Sequence, residues 1–355
     1  MAESKDSDYM QRCLQLALLG AGNVAPNPMV GAVLVYENRI LGEGFHQQYG
    51  KAHAEVNCIL HAEMNAASRA LVPRSTLYVS LEPCAHFGKT PPCADLIIDK
   101  KIPKVIIGCN DPFKQVDGKG IEKLRNAGVD VQVGVLEAEC SDLNKRFFSF
   151  HLKQRPFVLL KWAQTANGKI AGMDGVRMKI SNEVTNRLVH KWRSEEAAIM
   201  VGTTTALTDN PSLTNRLWTG KDPLRIVIDR DLRLPRSLFL FNDGNKTIVF
   251  NLLKHEEMAQ CGYYQLNREL PFIDQVLTAL FHLNIQSVMV EGGARVLQNF
   301  IDKNLWDEAR VITNNALQVP SGVQAPSLAH AVLTSTRNIY EDTVRYYKPA
   351  KTHAG

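Results

Sequence analysis

A chain of 355 residues, 45% apolar and 22% charged, is long enough for two ordinary domains, each with its own core. Its net charge of +5 is mild and reads first as a solvated, slightly basic surface, next as a match for anionic small substrates, and least as a nucleic-acid track, since no basic run interleaved with aromatics appears. Seven scattered cysteines suit reduced thiols rather than a disulfide framework, the polar start MAESKDSDYMQRC is no signal peptide, and the apolar runs are too short for a bilayer, so a cytoplasmic protein with no membrane partner is expected.

Residues 9–19 carry helical spacing and end in a Gly-Ala-Gly-Asn turn. Residues 31–36 and 39–45 read as strands joined by a turn at Glu37-Asn38. A helix is expected over 53–69, after the breaker Gly50, and a strand over 75–81. Further on, helices are expected over 94–100 and 120–127, and strands over 105–108 and 129–135. This alternation predicts an α/β layer fold, with mostly parallel strands after the first hairpin. The pattern breaks in a polar link at 150–156, and the domain boundary is placed near residue 150. A new series of strands follows at 157–162, 198–202, 224–229, 246–251 and 287–291.

Chemistry concentrates around EPCAHFGKTPPC, residues 82–93. A zinc that activates water needs about three protein ligands, an open position and a base that is not itself a ligand. Zinc deaminases meet this need with H-x-E, followed later by P-C and a second Cys. Here His53-Ala54-Glu55, Pro83-Cys84 and Cys93 supply that set, with His53, Cys84 and Cys93 as ligands and Glu55 as proton shuttle. Alone, the two cysteines would read as buried thiols as readily as ligands. A structural zinc site is the competing reading, but it would have no use for Glu55. The triplet HAE recurs at His61-Ala62-Glu63, a little over two helical turns on. Gly50 favours the first pair as the one at the helix N-terminus, leaving His61 and Glu63 as rim residues.

The segments APNPMVGAVLV, HAEVNCI and TLYVSLEPCAHFGKTPPCADLII resemble the bifunctional deaminase/reductase family of riboflavin biosynthesis, the RibD family. The resemblance implies a cytidine-deaminase-like three-layer domain over 1–150 and a dihydrofolate-reductase-like α/β domain over 151–355. It implies zinc-dependent hydrolytic deamination of a diaminopyrimidinone ribosylamino 5′-phosphate. Asn27, His46, His86, Lys89, Thr90 and Asp111 then look like substrate contacts. Lys89 and Thr90 beside Gly88 suit a phosphate. Asn27-Pro28 also reads as a plain turn, and Asp111-Pro112 as a strand terminator. Phe113 stands where the family often has Asn, and the interval from His53 to Cys84 is longer than the family leads one to expect.

In the second half, Glu291-Gly292-Gly293 places two glycines where a strand turns into a helix, which by itself fits any tight turn. The usual G-x-G-x-x-G fingerprint is absent after the first strand of this half. LLKWAQTANGKIAG, VGTTTALTDNPSLTNR and VEGGARV resemble the reductase half of the same family, which uses NADPH to turn a ribosyl group into ribityl. The resemblance implies Thr205 and Asp209 as nucleotide contacts and Gly292 and Gly293 at the pyrophosphate. Lys161, Arg193, Leu213, Arg216 and Glu291 fall on the substrate side, with surface ion pairing as the alternative for the two arginines. Arg230, after the strand 224–229, is a candidate for a 2′-phosphate. Asn167 and Met178 depart from the Asp and Trp common in the family.

Two other functions compete. A nucleic-acid base deaminase would share the zinc motif but needs a basic groove. A binding protein with a structural zinc would leave Glu55 unused. The resemblance also implies a homo-oligomer.

Overall fold

A computed structural model of the chain describes residues 2–87, 91–113, 116–172 and 178–350. The chain separates into two compact units, Met1–Gln154 and Arg155–Gly355. Among the described residues, no helix is long and apolar enough to cross a membrane.

The first unit runs α1 (Ala2–Leu18), β1 (Gly31–Tyr36), β2 (Arg39–Phe45), α2 (Ala54–Glu63), α3 (Ala66–Leu71), β3 (Thr76–Leu81), α4 (Cys93–Asp99), β4 (Lys104–Cys109), α5 (Lys119–Asn126), β5 (Asp130–Val133), α6 (Glu137–Leu143) and α7 (Lys145–Lys153). Its sheet has the order β2-β1-β3-β4-β5, antiparallel around β1 and parallel from β3 to β5. After its first residue, Lys104, the strand KVIIGC is apolar and buried because helices cover both faces. Alternate residues feed opposite cores. Ala32, Leu34, Leu77, Val79, Val105 and Ile107 pack with α2, α4 and α5. Val33, Val35, Tyr78 and Ile106 pack with Met10 and Cys13 of α1 and Cys140 of α6. The result is a three-layer sandwich with period-2 strands at its centre.

Two expectations are revised. The helix expected over 53–69 is two helices, because Asn65 leaves helical geometry and its side chain accepts from the amides of Ala67 and Ser68. The link expected at 150–156 begins as helix, since α7 continues to Lys153 and stops at Gln154 with φ +49°.

The second unit is built on β6 (Phe157–Thr165), β7 (Lys169–Ala171), α8 (Glu183–Glu195), β8 (Ala198–Gly202), α9 (Thr203–Asp209), β9 (Leu224–Ile228), α10 (Phe239–Asn242), β10 (Thr247–Asn251), β11 (Cys261–Gln265), α11 (Phe272–His282), β12 (Ser287–Val290), α12 (Ala294–Asp302), β13 (Glu308–Asn314), β14 (Val323–Gln324), β15 (Ala331–Ile339) and β16 (Asp342–Pro349). Nine strands form one sheet in the order β11-β10-β9-β8-β12-β6-β13-β16-β15. The pairs from β11 to β13 are parallel, and β16 and β15 close the edge antiparallel. One core packs the sheet against α11 and α12, the other against Val189 and Trp192 of α8 and Ala206 of α9.

The placement of α2 depends on two glycines of β2. A Cβ at Gly42 would stand 2.4 Å from the Cys58 carbonyl oxygen, and one at Gly44 would stand 2.2 Å from the Cys58 nitrogen. The helix therefore lies on strand backbone. Gly44→Ala is expected to cost the first unit about 1–3 kcal/mol through overpacking against atoms that cannot rotate away. Circular dichroism melting together with bound zinc checks this; a variant with wild-type melting and metal content would contradict the contact.

Candidate active sites

In the first unit, three elements bring the chemistry together. His53 is the N-cap of α2 and Glu55 lies in its first turn. Cys84 follows β3, and Cys93 opens α4. His53 Nδ1 lies 3.6 Å from Cys84 Sγ and 3.4 Å from Cys93 Sγ, and all three donor atoms fall within 4.8 Å of one another. Bond lengths of ordinary zinc sites put donors on a tetrahedron edge roughly 3.5 Å apart. The two sulfurs and one nitrogen fit a zinc with one position left open. The Cys93 amide also donates to Cys84 Sγ at 3.3 Å. Hydrogen bonds from Cys93 and His53 drive Cys84 toward the thiolate. The same pairing with Cys84 raises His53.

Glu55 is 3% exposed, and burial pushes its carboxyl up to about 7, against the opposing pull of His53. A carboxyl there is poised to take and return a proton near neutrality. The repeated pair is spent on packing. His61 Nδ1 accepts from the Glu43 amide at 3.1 Å, and Glu63 pairs with Lys100 at 2.5 Å.

The predicted contacts gather around this centre. The His46 ring stands 5.3 Å from that of His53, and His46 Nε2 is 3.2 Å from Asn27 Nδ2. His86 follows Cys84, and its buried Nδ1 has no hydrogen-bond partner among the described residues. Asp111, beyond β4, is 6% exposed, and burial pushes it up to about 7; one oxygen accepts from the Phe113 amide at 2.9 Å. Phe113 lies edge-on to His86 at 6.2 Å and 4.7 Å from the ring of His151. Lys89 and Thr90 lie outside the described residues.

The sequence reading passed over Glu82, whose only signal was its place ahead of Pro83-Cys84. It is 4% exposed and accepts four backbone amides. Gly120 (2.9 Å) and Ile121 (3.3 Å) donate to Oε1, and Gly118 (3.1 Å) and Asp111 (3.3 Å) to Oε2.

The second unit collects its residues at the C-terminal ends of β8 and β12 and around α8. Glu291 receives Arg193 in two bonds, 3.0 Å from Nε and 2.7 Å from Nη2, with Lys161 Nζ at 3.9 Å. Arg193 also donates to the Thr214 carbonyl at 3.1 Å. The Arg216 amide donates to His190 Nδ1 at 3.0 Å, so the proton of that buried imidazole sits on Nε2. His190 was also missed; burial first, then the surrounding cations, lower it to about 4. Leu213, buried beside these residues in sequence, holds φ +54°. The Arg216 guanidinium rests on the hydroxyls of Ser212 and Thr214.

Beyond β12, a Cβ at Gly292 would press on Val201 at 2.9 Å, and Gly293 has φ +69° as the N-cap of α12, next to the Thr205 hydroxyl. Thr205 and Asp209 lie on α9. Arg230 stacks on Phe272 at 5.2 Å. Asn167 serves its own turn, accepting from Thr165 Oγ1 and donating to the Val319 carbonyl.

Glu291 is held down to about 2 by Arg193 and Lys161, against burial, which acts the other way. Its folded value lies below the ordinary 4.5, so its stabilisation is complete above that pH and is lost as pH falls toward 2. The contribution is on the order of 3 kcal/mol. All four tryptophans (Trp162, Trp192, Trp218 and Trp306) belong to the second unit, so their fluorescence reports on that unit alone. Denaturation followed by tryptophan emission is expected to show stability declining between pH 4.5 and 2. Glu291→Gln should flatten that decline; an unchanged slope would assign it to other groups.

Comparison with known proteins agrees with both halves. Residues 3–109 match the cytidine and deoxycytidylate deaminase zinc-binding region, and residues 156–317 match the RibD C-terminal domain. The chain is 40% identical to the riboflavin biosynthesis protein RibD of Aquifex aeolicus, across 86% of each chain. It is 39% identical to that of Bacillus amyloliquefaciens, across 90% of this chain and 86% of the relative. A crystal structure from Thermotoga maritima, of a diaminohydroxyphosphoribosylaminopyrimidine deaminase/5-amino-6-(5-phosphoribosylamino)uracil reductase, superposes with TM-score 0.89 at 34% identity, covering 99% of this chain and all of that one. The cytidine-deaminase-like and dihydrofolate-reductase-like folds expected from the sequence are the folds observed. With a zinc-binding deaminase unit followed by a reductase unit of the NADPH-using type, the chain belongs to the RibD family of riboflavin biosynthesis proteins.

Proposed function

We propose that the first unit hydrolyses a ring amino group from a diaminopyrimidinone ribosylamino 5′-phosphate, and that the second reduces the ribosyl group of the product to ribityl. The observation that carries this reading is a donor set with tetrahedral spacing beside a buried glutamate that is not part of it. The two activities named for the Thermotoga maritima relative support the same order.

In this reading His53, Cys84 and Cys93 hold zinc. The metal, when bound, supplies Lewis-acid activation of the attacking water. Glu55 takes a proton from that water and delivers it to the departing amine, a transfer suited to a carboxyl near 7. His46 donates through Nδ1 to the Ala52 carbonyl at 3.0 Å, so its Nε2 accepts from Asn27 Nδ2. Asn27 is thereby oriented with its oxygen left to accept from a ring amino group. His86 offers its unpartnered nitrogen, and Asp111, Lys89 and Thr90 complete the substrate contacts.

In the second unit, Gly292, Gly293, Thr205 and Asp209 form the nucleotide side, and Lys161, Leu213, Arg193, Arg216 and Glu291 the substrate side. NADPH supplies the hydride. The residues align the sugar carbon and exclude water, and no protein nucleophile is required. Arg193 pairs with Glu291 and the Thr214 carbonyl, and Arg216, seated on the hydroxyls of Ser212 and Thr214, is assigned the grip on the 5′-phosphate. The enzyme works in the cytoplasm, with neither nucleic acid nor membrane as partner, and its homo-oligomeric state rests on the family resemblance alone.

Mass analysis of products tests the order: an amino-to-oxo change without NADPH, and two further hydrogens once it is added. Glu55→Gln is expected to keep its zinc, lose deamination by about 10²–10⁴-fold, and still reduce supplied deaminated substrate. Unchanged deamination would remove Glu55 from the chemistry. Arg230→Ala is expected to raise the KM for NADPH about tenfold without affecting NADH, through loss of a charged pair with the 2′-phosphate. Equal effects on both nucleotides would end that assignment.

A further inference from the structure

Glu82 is a buried carboxylate with no cation paired to it among the described residues; its compensation comes from four amides. Three of them, on Gly118, Gly120 and Ile121, belong to the N-terminus of α5, where an acceptor is favoured by unpaired N–H groups and the helix dipole. The fourth is the amide of Asp111 itself. The main chain of Glu82 extends the β3–β4 ladder, its amide donating to the Cys109 carbonyl at 3.0 Å. One side chain therefore joins the strand end that leads into Cys84 to the loop that carries Asp111. Close packing leaves little slack, since a Cβ on Gly120 would stand 1.9 Å from the Pro83 carbonyl oxygen.

We infer that Glu82 is a positioning residue of the deaminase, setting the distance between the metal-binding cysteines and Asp111 so that substrate is presented to the zinc in one register. The inference rests on the reading of Asp111 as a substrate contact. Glu82 touches neither metal nor substrate in this account. It acts as a remote cap shared by two segments. A glutamine at this position would keep length and shape, but would turn an NH2 group toward at least one pair of amide donors. The expected result is a shifted loop with an intact metal site.

The experiment measures deamination by zinc-loaded, full-length Glu82→Gln with the diaminopyrimidinone ribosylamino phosphate, with reduction of the deaminated product followed on the same preparation. The result expected is a KM for deamination raised about tenfold or more, a smaller fall in kcat, one zinc retained per chain, and reduction at the wild-type rate. A wild-type KM overturns the proposal, whether kcat is unchanged or falls together with zinc content, because a purely structural residue changes the active fraction and not the affinity. Absence of deamination in the wild-type chain would instead count against the proposed function as a whole. Should the variant fail to fold, hydrogen exchange on the wild-type protein decides. The amides of Asp111, Gly118, Gly120 and Ile121 are expected to exchange slowly as a group, and rapid exchange at these positions overturns the clamp.

Discussion

A carboxylate taken out of water must be met by donors, by cations or by a proton, and the two sites between them use all three answers. Glu82 is met by four backbone amides, which tie a loop to a strand. Glu291 is met by Arg193 and Lys161, which makes it a fixed anion around which the reductase side chains are ordered. At Glu55 burial outweighs the pull of His53, and its carboxyl rises to about 7, a condition under which it can pass a proton back and forth. The same residue type thus serves as cap, anchor and acid–base group. Environment decides which.

Both units place these groups where parallel strands end. In the first, the segments after β3 and β4 supply Glu82, Cys84 and Asp111, and the start of α2 brings His53 and Glu55. In the second, the ends of β8 and β12 supply the α9 residues and the Glu291-Gly292-Gly293 turn. Chain segments leaving a buried sheet can vary in length and sequence without disturbing the layers beneath, so specificity is separable from folding.

Much of this arrangement was readable from residue order. The apolar strands of the first unit, the H-x-E and P-C motifs and the glycine pair after β12 all act through local chemistry, which a linear sequence records directly. The break of the 53–69 helix was written at Asn65, but a cap is recognised only when the amides it accepts are seen to need it. Glu82 and His190 escaped because their partners are distant in the chain. Glu82 binds amides up to 39 positions away, and His190 holds one 26 positions away. No periodicity or motif announces a side chain whose work is to receive backbone hydrogens. Helix α7 was hidden for a different reason: its end runs through the polar stretch Lys153-Gln154-Arg155 into Pro156, which reads as a linker.

The contact between α2 and β2 has a further consequence. Most helices rest on a sheet through side chains, so a change on one surface can be absorbed by a rotamer change on the other. Here Gly42 and Gly44 bring strand and helix together backbone to backbone, and no side chain is available to give way. Tolerance to mutation is therefore lopsided across this helix. Its outer face, with Leu60 and Met64 exposed, accepts many residue types, whereas two positions on a neighbouring strand accept only one. The spacing of the metal ligands is inherited from the sheet and is insulated from drift in the helix that carries His53.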